Sequence, residues 1–194
     1  MLKSLSDLVK PDSRQSYFQY LDTNLGANRP LTLEDLFAEV QAIQLHGNVP
    51  EVIRSHFATA LNLAVYSWYF YPFNVTAEFM AYVSVEFALR HKFSVQTQTP
   101  FKHLVKRAID EKLIKANGFS DFRARNICIR GCDMQGDSGS DPTRIYVEIL
   151  MEAMPYLRNS LAHGTSMIHM EGVQKVQLCA DFINQLFEVP QNYG

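Results

Sequence analysis

The chain has 194 residues, enough to bury a core, and its 47% hydrophobic and 20% charged content excludes a disordered or fibrous protein. A formal net charge of −2 argues against a nucleic-acid partner held by overall charge alone. Three cysteines, without a secretory leader pattern at Met1-Leu2-Lys3, point to free thiols in a reducing cytoplasm rather than to disulfides.

In chain order, residues 1–30 are mixed and polar, broken by Pro11, Gly26 and Pro30, and read as an N-terminal arm with a helical turn or two. The region 31–190 carries the helical signals. A first helix is expected over 32–46, with Thr32 as N-cap and Asp35 adding negative charge to the first turn. Leu36, Phe37, Val40, Ile43 and Gln44 form its stripe, and Gly47 stops it. A second helix is expected over 50–71 and a third over 74–93, capped by Asn74. Pro72 separates them into a tight antiparallel hairpin. No charge occurs between Arg54 and Glu78, but a bilayer helix needs about 20 mostly apolar residues. His56, Asn62 and Ser67 interrupt the run and Pro72 closes it, so a buried bundle helix is expected and no membrane contact.

A fourth helix is expected over 100–117, with Thr99 as its N-cap, Pro100 at its first position and Phe101, Leu104, Val105, Ala108 and Ile109 on one face. The Gly-, Ser- and Asp-rich stretch from Gly131 to Pro142 reads as an exposed, mobile loop. Asp141-Pro142 starts a fifth helix over 142–163, buried through Ile145, Ile149, Leu150, Ala153, Leu157 and Leu161 and kinked at Pro155. A sixth covers 167–188 through Val176, Cys179, Ala180, Ile183 and Phe187. No strand pattern of comparable strength occurs. The expected fold is all-α: a single-domain antiparallel bundle of five to six helices.

Several chemistries find no support. Cys128 and Cys132 stand four apart with no second Cys/His pair, and the remaining histidines (His46, His56, His91, His103 and His169) have no convergent spacing, so no metal or cofactor is expected. No phosphate loop, nucleophile elbow or paired-carboxylate pattern is present. Charge is unevenly spread, however. Between Arg90 and Arg130 stand ten bases and three acids. Lys102, Lys106, Arg107, Arg123 and Arg125 within that sector are candidate RNA-binding residues, or else an ordinary solvated face.

One run carries chemistry: Arg158-Asn159-Ser160-Leu161-Ala162-His163-Gly164. Asn159 and His163 are four apart and share a helical face, and Gly164 suits the C′ position. A helix C-terminus favours a cation, and here an imidazole, an amide and an always-charged planar donor stand together. Cleavage of RNA by its own 2′-hydroxyl requires a proton taken, a proton given and phosphate charge stabilised. The plain alternative makes Arg158 a salt-bridged residue, Asn159 a local cap and His163 a helix C-cap. Glu86, on a mostly apolar helix, is either a buried polar partner for this site or a structural hydrogen-bonding residue.

Arg158, Asn159 and His163, in the penultimate helix of an all-α chain, resemble the signature of the HEPN ribonuclease superfamily: Arg, a following polar residue, and His after a short spacer. The resemblance covers about seven residues as motif and 31–190 as architecture. It implies a metal-independent endoribonuclease with Arg158, Asn159 and His163 as catalytic residues. A two-fold homodimer would bring two motifs into one composite site on single-stranded RNA, leaving 2′,3′-cyclic phosphate ends. It also implies a cytoplasmic toxin or defence effector, with an antitoxin or regulatory protein as a further partner. The alternative is a catalytically inactive HEPN-like module that binds nucleotides, RNA or protein. Family toxins paired with a nucleotidyltransferase often carry a modifiable Tyr two residues after the His; Thr165 stands there instead, which gives that regulation no support.

Overall fold

The computed structural model describes residues 2–22, 26–95, 98–124, 141–164 and 172–189. Within them the chain is mostly helical, with one small sheet. Two 3-10 turns, Leu5–Asp7 and Ser13–Tyr17, lead into an antiparallel hairpin of β1 (Gln19–Asp22) and β2 (Ala27–Pro30), with Gln19 opposite Pro30. The helices are α1 (Leu33–Gln41), α2 (Glu51–Tyr66), α3 (Phe73–Phe93), α4 (Phe101–Asp110), α5 (Pro142–Ala162) and α6 (Gly172–Leu186). The backbone is also helical at 120–124.

Some helix signals act as expected. The Thr32 hydroxyl accepts from the Asp35 amide while the Asp35 carboxylate accepts from the Thr32 amide, a complete capping box. Asp141 caps α5 by accepting from the Thr143 amide, with Pro142 in the first turn.

Other boundaries require correction. The N-terminal arm contains strands, not just helical turns. Pro50 and Pro100 are themselves N-caps, with ψ of 141°, an extended conformation that keeps them outside the helix. Helix α3 starts at Phe73 after Pro72, so Asn74 lies inside it. Helix α1 ends at Gln41 rather than His46 because α6 claims the next segment. The His46 amide donates to Asn184 Oδ1 at 3.0 Å, and Asn184 Nδ2 donates to the Gln44 carbonyl at 2.9 Å. Helix α2 ends at Tyr66, where Ser67 turns its hydroxyl back to the Ala64 carbonyl. Helix α4 ends at Asp110 because Lys112 takes a positive φ of 58°, which turns Ile114, Ala116 and Phe119 into the core. Residues 131–140, most of the expected loop, lie outside the described residues, as do Cys128 and Cys132.

Helix α3 is central because it buries two adjacent stripes. Ala77, Ala81, Ser84 and Ala88 form one, and Glu78, Tyr82, Val85 and Leu89 form the other, about 100° away. The small stripe lets α2 approach closely: Ser84 Oγ is 2.8 Å from His56 Nδ1, and Ala60 and Ala64 are fully buried. The second stripe meets α6, with Tyr82 beside Cys179. Helices α4 and α5 pack on a third face, around Glu86 and Arg90. The core cluster draws on all six helices. Among the described residues no helix is long and apolar enough to cross a membrane.

The arm is fastened to the α2–α3 turn. Asp12 donates its amide to the Trp68 carbonyl at 2.8 Å, and its carboxylate accepts from the Tyr71 amide at 3.0 Å. Buried Gln15 donates to the Ser67 carbonyl, and Phe18 stacks on Tyr71.

Candidate functional site

Helix α5 runs through Pro155 to Ala162 and presents the motif at its C-terminal end. His163 is the C-cap residue, its amide bonded to the Asn159 carbonyl at 3.0 Å. Gly164 has φ of 82° and donates to Leu161, as a terminating C′ glycine does. Asn159 and His163 are exposed, and Arg158 is partly buried.

Arg158 turns inward. Its Nη2 lies 2.8 Å from Glu86 Oε2 on α3, a charge contact rather than an aligned hydrogen bond. Its Nη1 donates to Asn159 Oδ1 at 3.1 Å. The other Glu86 oxygen accepts from Arg90 Nη2 at 2.6 Å, and Arg90 Nη2 also donates to the Thr99 carbonyl at 2.9 Å. Arg158 Nε is buried and meets no hydrogen-bond acceptor among the described residues. Glu86 thus touches the motif directly. The plain alternative is met in part as well, since Arg158 is salt-bridged and His163 caps the helix.

No family model matches the chain, and comparison with curated proteins and with solved structures finds no match in either.

The outer face of α5 departs from expectation. Ile145 and Ile149, expected in the core, are 42% and 59% exposed, and Tyr156 is 70% exposed. The buried side is instead Leu150, Met154 and Pro155, with Leu157 and Leu161 packed against the core. At 100° per residue, Ile145, Ile149, Glu152, Tyr156, Asn159 and His163 fall within one arc of about 80°. An exposed line, apolar except for Glu152, therefore leads straight to the motif. In the sequence this second stripe is masked, because Ile145 and Ile149 also continue the four-residue spacing through Ala153 and Leu157.

The basic candidates are largely paired. Lys102 reaches Glu152 on α5 at 2.7 Å, Lys106 reaches Asp110 at 2.8 Å, and Arg107 reaches Glu111 at 2.7 Å while covering the Phe93 ring. Arg123 donates to the Asn117 carbonyl at 2.9 Å, and Arg125 lies outside the described residues, as does Thr165. Among the described residues no cluster of His, Cys, Asp and Glu could hold a metal ion. Burial, with Glu78 nearby, pushes the Cys179 thiol well above its usual range, so this sulfur is an inert core group.

A separate cleft of about 520 Å³ lies between α1, residues 120–124 and the start of α6, lined by Glu39, Ile43, Ser120, Asp121, Val173 and Gln177. Asp181 beside it accepts from the Ser120 amide and hydroxyl and from Gln177. None of the motif residues lines it.

Proposed function

We propose that the protein is a metal-independent endoribonuclease of the HEPN type, a toxin or defence effector whose active site forms between two copies of the chain. The observation that carries this reading is the single exposed line joining Ile145, Ile149 and Tyr156 to Asn159 and His163. Large apolar side chains aligned on one helix face suit a partner, not water. A second copy meeting this face about a two-fold axis brings two imidazoles to one seam. The 2′-oxygen of RNA then attacks phosphorus as one imidazole takes its proton. The bond from phosphorus to the 5′-oxygen breaks, and the other imidazole returns a proton to the leaving oxygen. A 2′,3′-cyclic phosphate and a 5′-hydroxyl result. Asn159 donates to a phosphate oxygen, and Arg158 behind it adds positive charge to the seam.

A second reading, a module that binds nucleotides, RNA or protein without cutting, draws on the paired cations of α4 and on the tie of Arg158 to Glu86. The two separate in one experiment. Purified protein incubated with mixed RNA, with and without chelator, is expected to yield cyclic-phosphate ends in both samples. Ile149→Asp is expected to yield a monomer by sedimentation and to abolish cutting while His163 stays intact. RNA left whole by the wild-type dimer would hand the site to the binding reading.

A further inference from the structure

An asparagine side chain has two faces of opposite character: a carbonyl oxygen that accepts and an amide that donates two protons. Which face meets solvent decides what the residue can bind. At Asn159 that choice is made from inside the protein. A guanidinium can only donate, so it stabilises the side chain with Oδ1 turned inward and repels the flipped form. Arg158 Nη1 donates to that Oδ1 at 3.1 Å. The Nδ2 amide is therefore left for the exposed face, one turn before His163.

Arg158 is in turn held from behind. Glu86 Oε2 lies 2.8 Å from Nη2, and the Glu86 carboxylate is itself fixed at 2.6 Å by Arg90, which reaches on to the Thr99 carbonyl. The Glu86 side chain is only 12% exposed, so its rotamer is set by packing. The chain of contacts crosses from the α3–α4 connection through α3 to the motif end of α5.

We infer that Glu86 is a positioning residue, which acts through Arg158 to keep the donor edge of Asn159 facing outward for an anionic oxygen. That oxygen being a phosphodiester rests on the function proposed above; the positioning does not. Loss of the carboxylate frees the guanidinium, and the amide flips between a face that binds phosphate and one that repels it.

The test uses the full chain and two readouts. Side-chain nitrogen NMR of wild type, Glu86→Gln and Glu152→Gln follows the Asn159 amide pair and the rotation of the Arg158 Nη groups. Glu86→Gln is expected to shift the amide pair and speed the rotation on the order of tenfold. Glu152→Gln, which breaks a different carboxylate–cation contact of α5, is expected to change neither. If Glu86→Gln fails to fold, the double variant Glu86→Met with Arg158→Met removes the carboxylate together with its motif-side partner, while Arg90 keeps its bond to the Thr99 carbonyl. It too should shift the Asn159 amide. In RNA cleavage, Glu86→Gln is expected to lower kcat on the order of tenfold or more, as misplacement of a reacting group does. In an Asn159→Ala background the same change should cost nothing further. An unmoved Asn159 amide, or additive losses when Glu86→Gln is combined with Asn159→Ala, overturns the inference. Wild-type protein that leaves RNA intact overturns the ribonuclease reading alone, because the NMR arm still decides the positioning.

Discussion

Two regions of the molecule are built from the same parts, a carboxylate and a guanidinium, and use them differently. At the arm, the Asp12 carboxylate accepts from the Arg14 amide, from Arg14 Nε and Nη2 and from the Tyr71 amide, all at 2.9–3.1 Å. The Arg14 guanidinium then covers the Tyr71 ring. At the motif, Glu86 meets Arg158 off-axis, Arg158 Nε has no acceptor among the described residues, and Asn159 and His163 face solvent. A network whose valences are closed internally holds a fold. One that leaves donors open is suited to an incoming ligand, because the missing bonds can be completed on binding.

His163→Ala is expected to slow RNA cleavage on the order of 10²–10⁴-fold, the worth of a positioned acid or base, while thermal unfolding barely moves. Equal cleavage by this variant would remove His163 from the chemistry. Asp12→Ala should do the reverse, costing about 2–3 kcal/mol in denaturant unfolding through the lost cap and the stranded Arg14 and Tyr71 donors, with cleavage per folded molecule retained. A loss below about 0.5 kcal/mol would show that the arm is not fastened as described.

Acid should reveal the arm next. The Arg14 guanidinium holds the Asp12 carboxyl well below the usual carboxylate range, and Arg29 does the same for Asp35. Both folded values lie below the unfolded one of about 3.9. Their contribution is therefore complete above that value and is lost as pH falls through it toward the folded values. The chain has a single tryptophan, Trp68, whose carbonyl accepts from Asp12, so its fluorescence should report the release. A signal change confined to pH 6–8 would point to other groups. Smallest of all, Lys102→Ala removes an exposed pair with Glu152 and should cost about 0–1 kcal/mol.

Sequence showed most of this where local rules and tertiary packing agree. The Thr32–Asp35 box and the Asp141-Pro142 start are self-contained within one turn, so nothing distant can overrule them. The α1 end was hidden because Asn184, about 140 positions away, supplies bonds that a continued helix would forgo. The hairpin was hidden because β1 and β2 are four residues each and largely exposed, which leaves no alternation to detect. At the site, the motif and its helix end were readable. That Glu86 reaches Arg158 depends on the placement of α3 against α5, which periodicity does not contain.

Pro155 interrupts the backbone ladder of α5. It lies within α5, buried, and brings no amide proton to the backbone ladder, so the Met151 carbonyl misses its donor one turn ahead. The helix from Tyr156 to Ala162 is joined to the rest through a missing rung. In native-state hydrogen exchange, amides of this last stretch are expected to open as a unit of their own, at lower free energy than those near Leu150 and Met154. The end of the helix that presents the motif can then loosen and re-form many times during the life of one folded molecule, while the core beneath it stays shut.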